Sequence, residues 1–245
     1  MQRKMLFNAI RKVMIVIPYT LLYSFSDIIL GGARDSTLSD KLWYAIFGRL
    51  TSEEVQTLVL TFESVGGIFL FCLLFGDYIS RIFNSIDKLF FTRVPSRKAW
   101  MVRQAVFLYG AASLYVFIVI CLKLAVAKWQ SPDLDLKSDT VLTITVIWFL
   151  LSMLITGLCL IVNWLSIEHG LPIGMISAFA VTIILEFIAI FHFESPVNMV
   201  LNPMCFNIRI IHDAGIAAVK ILNDFGYTVV VIWGMCFYIH RKDIY

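Results

Sequence analysis

The chain has 245 residues, 60% of them hydrophobic and 15% charged, with a mean hydropathy of +0.84. A soluble domain of this length has too little interior to hide that much apolar surface, so composition excludes a water-soluble globular protein. It points instead to an all-α polytopic membrane protein. The net charge of +3 is small and unevenly placed, and it gives no footprint for nucleic acid.

Residues Met1 to Lys12 mix four basic residues with Met5, Leu6, Phe7 and Ile10, the composition of a short amphipathic N-terminal helix at the membrane interface. A first span is expected from about Val13 to about Gly31, with Pro18 in its first turns, where a missing N–H costs least. It has no small-residue cleavage site and reads as a retained span. In the outer loop Arg34–Glu54, Leu42, Trp43, Ile46 and Phe47 are expected to lay a short helix on the outer interface. Thr51-Ser52-Glu53-Glu54 has capping-box spacing and opens a second span, Val55–Phe75.

A third span is expected over Ala105 to about Ala127 and a fourth over Thr140 to about Trp164. A short inner turn follows, Leu165–Gly170. The fifth span, Leu171 to about Phe191, carries Pro172 in its first turn. In the outer segment His192–Leu222, Asn202-Pro203 reads as an N-cap followed by proline. It predicts a helix from Pro203 to about His212, broken by Asp213-Ala214-Gly215. The sixth span runs from about Val219 to Ile239. Residues 1–245 thus read as one membrane domain of six transmembrane helices. With the termini inside, the inner segments hold twelve of the twenty Lys and Arg residues. That bias puts both termini in the cytoplasm of a multi-pass cell-membrane protein.

Half of those twelve lie between Gly76 and Gln104: Arg81, Lys88, Arg93, Arg97, Lys98 and Arg103. Read as a helix, Arg81–Phe91 places Ile82, Phe83, Ile86, Leu89 and Phe90 on one face. Arg81, Asn84, Ser85, Asp87 and Lys88 fall on the other. Pro95 stops this helix, and Ser96-Arg97-Lys98 restarts the chain towards the third span. Such a helix either lies on the membrane surface or sits in a groove of a soluble partner.

No G-x-x-x-x-G-K-S/T occurs, so the chain itself cannot bind ATP in the P-loop manner, and H-E-x-x-H is missing too. Glu168-His169, in an inner turn with no second ligand nearby, reads as a structural or solvent-facing pair rather than a metal site. Glu53-Glu54 sits at the outer end of a span with no His pair on later spans, which argues against a protease. Cys72, Cys121, Cys159 and Cys236 lie in apolar runs and Cys205 in an outer loop, and they read as packing residues.

Three ionisable residues lie inside apolar runs: Glu63, Lys123 and Glu186. At ~1.5 Å per residue all three fall within ~12 Å of the outer surface. They form either a polar cluster on a substrate pathway, or separate contacts in which Lys123 snorkels and each Glu bonds a neighbouring helix. Lys220, Asn223 and Asp224 share a face where the sixth span begins, and belong to the same vestibule or to a wet helix end. Gly66-Gly67 and Gly157 suit close helix packing.

Taken together, the basic interfacial N-terminus, six spans, the amphipathic inner helix, the short inner turn and the outer helical segment before span six form a pattern. It resembles the membrane (permease) subunit of type 2 ATP-binding-cassette (ABC) exporters. The most specific match is FFTRVPSRKAWMVRQ, Phe90–Gln104, in which Val94-Pro95-Ser96-Arg97 fits the family's hydrophobic-Pro-small-Arg element. The acidic-x-x-x-Gly-Thr element that often precedes it is absent.

The resemblance implies a coupling helix made of Arg81, Ile82, Phe83, Ile86, Asp87, Lys88, Leu89 and Phe90, followed by Pro95, Ser96, Arg97 and Lys98. A separate nucleotide-binding ATPase subunit would grip it and carry the ATP and Mg, leaving this chain with no cofactor and no catalytic role. A second permease copy or a related chain would complete the transporter. The implied cargo, surrounded by membrane lipid, is an amphipathic or antimicrobial peptide or a similar hydrophobic molecule. Trp43, Tyr44, Phe47, Met204, Cys205 and Phe206 are aromatic or apolar outer positions that suit it. Drugs, ions or lipid-linked glycan are alternative cargoes. A non-transporting membrane protein for bacteriocin immunity or sensing is the alternative from a different class.

Overall fold

The computed structural model describes residues 11–12, 14–15, 17–21, 38–47, 58–85, 96–130 and 138–241. Its ordered elements are α1 (Leu38–Phe47), α2 (Leu58–Phe75), α3 (Tyr78–Ser85), α4 (Arg97–Gln130), α5 (Ser138–His169), α6 (Leu171–Phe191), α7 (Pro196–Leu201), α8 (Arg209–His212) and α9 (Ala214–Arg241). No strand occurs among the described residues. Five helical stretches there are long and apolar enough to cross a membrane: Val65–Phe83, Arg97–Trp129, Ser138–His169, Leu171–Phe191 and Ala214–Ile239. Most of the expected first span lies outside the described residues, as do Ile86, Asp87, Lys88, Leu89, Phe90 and Pro95.

Helix α5 is the axis of the bundle. It packs against α4, α6 and α9 along its length and meets α1, α2, α3 and α8 as well. Some 67% of its apolar window is buried, against 28% for α6 and 22% for α9, so those two are peripheral. Their outward faces present Ile176, Ile184, Phe191, Leu222, Val230 and Trp233, all more than half exposed. Continuous apolar faces of this kind suit lipid and would drive association in water.

Helix boundaries depart from the hydropathy reading in informative ways. Helix α4 begins at Arg97 rather than Ala105, and α5 continues to His169 rather than ending near Trp164. Hydropathy marks where lipid begins, whereas a helix runs on until its backbone is capped. Here Ser96 Oγ accepts from Ala99 N at 3.3 Å and starts α4. At ~1.5 Å per residue, α4 is ~50 Å long against a ~30 Å hydrocarbon core. Its basic first turns, Arg97, Lys98 and Arg103, therefore extend beyond it. The expected inner turn shrinks to Gly170, at φ 84° and ψ 160°, a region essentially reserved for glycine. Gly174 lets α5 and α6 close up, because a Cβ there would meet Val162 O and Ser166 Oγ at 2.7 Å.

Two outer expectations are corrected. Asn202-Pro203 ends a helix instead of starting one: α7 spans Pro196–Leu201 and Asn202 caps its C-terminus at φ −86°, ψ 114°. The proline ring disfavours helical geometry at the residue before it, so the chain leaves the helix at Asn202. Helix α1 forms, but its apolar face does not lie on lipid. Leu42, Trp43 and Phe47 are buried in the core, with Phe47 stacked on Phe206 at 4.0 Å and Trp43 Nε1 donating to Phe206 O at 3.4 Å.

Candidate functional site

The segment between α6 and α9 folds back as a roof, and buried amides hold it. Asn198 Nδ2 donates to His192 O (3.0 Å), Asn202 Nδ2 to Leu185 O (2.8 Å) and Asn207 Nδ2 to Phe193 O (3.1 Å). The carbonyls at the end of α7 have no partner within their own helix, and α9 supplies donors from one face. Asn223 Nδ2 donates to Val200 O at 3.0 Å, Tyr227 OH to Leu201 O at 2.9 Å, and Lys220 Nζ to Asn202 O at 2.5 Å. Three consecutive carbonyls are thus met by residues 220, 223 and 227, spaced to share a helix face.

Lys220 and Asp224 are therefore not a wet helix end. Their side chains are 0% and 3% exposed, and Nζ lies 3.2 Å from Asp224 Oδ1. Phe206 adds a ring face 5.8 Å from Nζ. In apolar surroundings each charge is tolerable only because the other neutralises it. Both Asp224 carboxylate oxygens are buried, and Oδ1 is met by the Lys220 ammonium. Thr228 Oγ1 is occupied with Asp224 O at 3.0 Å.

Asp224 forms part of the wall of a cavity of about 370 Å³ between α5, α6 and α9. Met153 and Gly157 of α5, Thr182 and Leu185 of α6, and Tyr227 of α9 line it, with Leu201 and Met204 of the roof above. A second cavity of about 380 Å³ lies against the roof and is lined by His192, Ser195 and Asn198. Leu185 and Leu201 border both, so they form a shared wall. Of the outer residues expected to meet cargo, only Met204 borders a described cavity. Trp43, Phe47, Cys205 and Phe206 are buried in packing, and the side chain of Tyr44 lies outside the description.

Lys123 on α4 and Glu186 on α6 are both buried, but α4 packs mainly on α5 and α9 while α6 packs mainly on α5. Neither lines the cavities described. Glu63 falls within α2, and its side chain lies outside the description. Lys220–Asp224 is a buried polar pair that the fold brings together beneath the roof.

Helix α2 breaks at Gly76-Asp77 and α3 follows at once. Asn163 of α5, fully buried, caps both sides of the break. Its Oδ1 accepts from Ile79 N at 2.7 Å, near the start of α3, and its Nδ2 donates to Phe75 O at 2.9 Å, at the end of α2. A Cβ on Gly76 would meet Val162 Cγ1 at 2.7 Å, which is why glycine stands at the break. Asn163 is a polar residue inside an apolar run, the signal by which sequence could have found it.

Helix α3 turns Ile79 and Phe83 into the core, where they are 0% and 9% exposed, and leaves Ile82 half-buried. Arg81 faces outward and pairs with Asp77. Ser96 and Lys98 are exposed and Arg97 half-buried at the start of α4. Phe83 is therefore a packing residue, and the accessible side of α3 is the one around Arg81.

No protein-family model, curated protein or solved structure matches the chain.

Proposed function

We propose that this chain is the membrane subunit of an ABC exporter that moves an amphipathic, peptide-like or otherwise hydrophobic substrate. In this reading a sixth span, about Val13–Gly31, joins the five described, and both termini lie in the cytoplasm. One observation carries the proposal: α5 joins the cavity wall to the break that carries α3. Its Gly157 lines the roofed outer cavity, while its Asn163, six residues or ~9 Å further along, caps the break that carries α3. A force applied to α3 thus acts on a rigid helix that also forms the cavity wall. ATP would be held by a separate subunit whose closure on nucleotide biases this element between two states, through contacts made in only one of them. A second permease copy or a related chain completes the transporter.

The burial of Ile79 and Phe83 favours the non-transporting alternative, because the helix offers a partner groove less apolar surface than its sequence implies. Co-purification from the native operon separates the two. The exporter reading expects a subunit bearing a Walker A motif to come down with the tagged chain and to be lost on Arg81→Glu. Arg81 is the suitable position because it is exposed and its replacement leaves the core intact. Purification without any P-loop subunit removes the exporter reading.

A further inference from the structure

We infer that the seam between the first turns of α4 and the last turns of α9 binds an anionic phospholipid, with its phosphate on Lys98 and Arg241 and its chains on Trp233 and Phe237. The lipid is a partner of the chain rather than its cargo, and its binding requires no ATPase.

The two helices are fixed against each other where their charges lie. Helix α4 packs on α9, and Cys236 Sγ lies 3.9 Å from Lys98 O. The Lys98 ammonium is near enough to act electrostatically on the Cys236 thiol, which places that charge beside α9. Arg241 follows five residues after Cys236, ~7.5 Å further along the axis. Arg103 is exposed on the second turn of α4, between the exposed Val102 and Val106.

The fold supplies these cations with no counter-charge. Among the described residues none of Lys98, Arg103 and Arg241 is ion-paired. The carboxylates placed towards this end of α5 are taken: Asp77 pairs with Arg81, and Glu168 accepts from Tyr238 OH at 2.5 Å and lies 3.7 Å from His169 Nε2. Unbalanced cations at the edge of an apolar surface attract anionic headgroups, by roughly fivefold in affinity for each Lys or Arg.

The apolar surroundings select a lipid over a soluble anion. Trp233, Phe237 and Arg241 succeed one another at four-residue spacing and share one exposed face of α9. The two rings stack at 6.0 Å, and the Arg241 guanidinium lies 4.2 Å from the centre of the Phe237 ring. A cation at the end of an aromatic ladder stands where headgroup meets chain. On α4, Val102 and Val106 flank Arg103, whose long side chain can reach back to the headgroup level. A free phosphate would meet the cations alone, whereas a phospholipid meets cations and rings together.

The test uses the full-length chain in dioleoylphosphatidylcholine vesicles doped with brominated phosphatidylglycerol or, in parallel, brominated phosphatidylcholine. Bromine on an adjacent acyl chain quenches tryptophan, and the difference between the parent and Trp233→Phe isolates the signal of Trp233. Brominated phosphatidylglycerol should quench Trp233 at lower content than brominated phosphatidylcholine. Lys98→Gln should cut that preference roughly fivefold, and Arg241→Gln should cut it again by as much. Both positions are exposed, so the variants should keep the circular dichroism of the parent. Lys128→Gln, in the last turn of α4, should leave the preference unchanged. Equal quenching of Trp233 by the two lipids, or a preference that survives the double variant Lys98→Gln with Arg241→Gln, overturns the site. An equal loss in Lys128→Gln reduces the site to diffuse charge and overturns it too. Displacement of the phosphatidylglycerol signal by inorganic phosphate at constant ionic strength overturns lipid as the occupant.

Discussion

Asn163 offers the sharpest stability prediction. Asn163→Leu keeps the side-chain volume but strands two backbone groups in a buried place: the N–H of Ile79 and the C=O of Phe75, now held at 2.7 and 2.9 Å. A buried group left unsatisfied costs ~1–3 kcal/mol, so the pair sets a range of ~2–6 kcal/mol. Side-chain hydrogen bonds between membrane helices measure less, averaging ~0.6 kcal/mol, because an unfolded chain in lipid also finds partners. The lower end of the range, about 2–3 kcal/mol, is therefore expected. Asn163→Asp should cost more than Leu. It keeps the acceptor for Ile79 N but turns a second oxygen, and a charge, towards Phe75 O and Cys159 O, which now accept from Nδ2. The assay is reversible unfolding by rising SDS fraction in mixed micelles, followed by circular dichroism. A Leu variant within about 0.5 kcal/mol of the parent, or an Asp variant more stable than Leu, would refute the double-cap account.

Three further outcomes follow from the geometry. Lys220→Met alone leaves Asp224 buried without its counter-charge and should destabilise by ~3–5 kcal/mol, while adding Asp224→Leu should recover most of the loss, as the same unfolding assay reads. Gly170→Ala forces a side chain into a region reserved for glycine and should cost ~1–3 kcal/mol, whereas Gly110→Ala, with open space around its Cβ, should be near neutral in a thermal melt. Cys205 is fully buried, clustered with Ala189, Phe193 and Met199. A membrane-impermeant maleimide should therefore leave it unlabelled in intact cells and label it after denaturation.

The spans were legible because apolar length and punctuation act locally. Helix α6 matches its expected bounds since Gly170 and Pro172 mark its start, and no neighbour has to be known to see that. The misplaced outer helix shows the limit of such signals. Ser195-Pro196 and Asn202-Pro203 are equivalent as local cap-and-proline pairs. The choice between them is made by distant donors, Lys220, Asn223 and Tyr227, which hold the chain where α7 ends. The i,i+4 spacing of Lys220 and Asp224 was visible, but their burial was not, because the roof that covers them comes from another segment. Trp43 illustrates the same point: an aromatic residue at a bilayer edge reads as an anchor until the partner that buries it, Phe206, is placed. The cavity had no sequence signature, since its walls come from three helices whose relative positions no single stretch encodes.

The central claim is that an ATPase subunit acts on the α3 end of α5 while the roofed cavity faces the other side. Site-specific photocrosslinking in native membranes tests it most directly, with a photoreactive residue placed at Arg81 and, as control, at Trp129, which is exposed near the opposite end of α4. The account predicts an adduct with a Walker A subunit from position 81 and none from position 129. No such adduct at 81, or equal adducts from both positions, would contradict it.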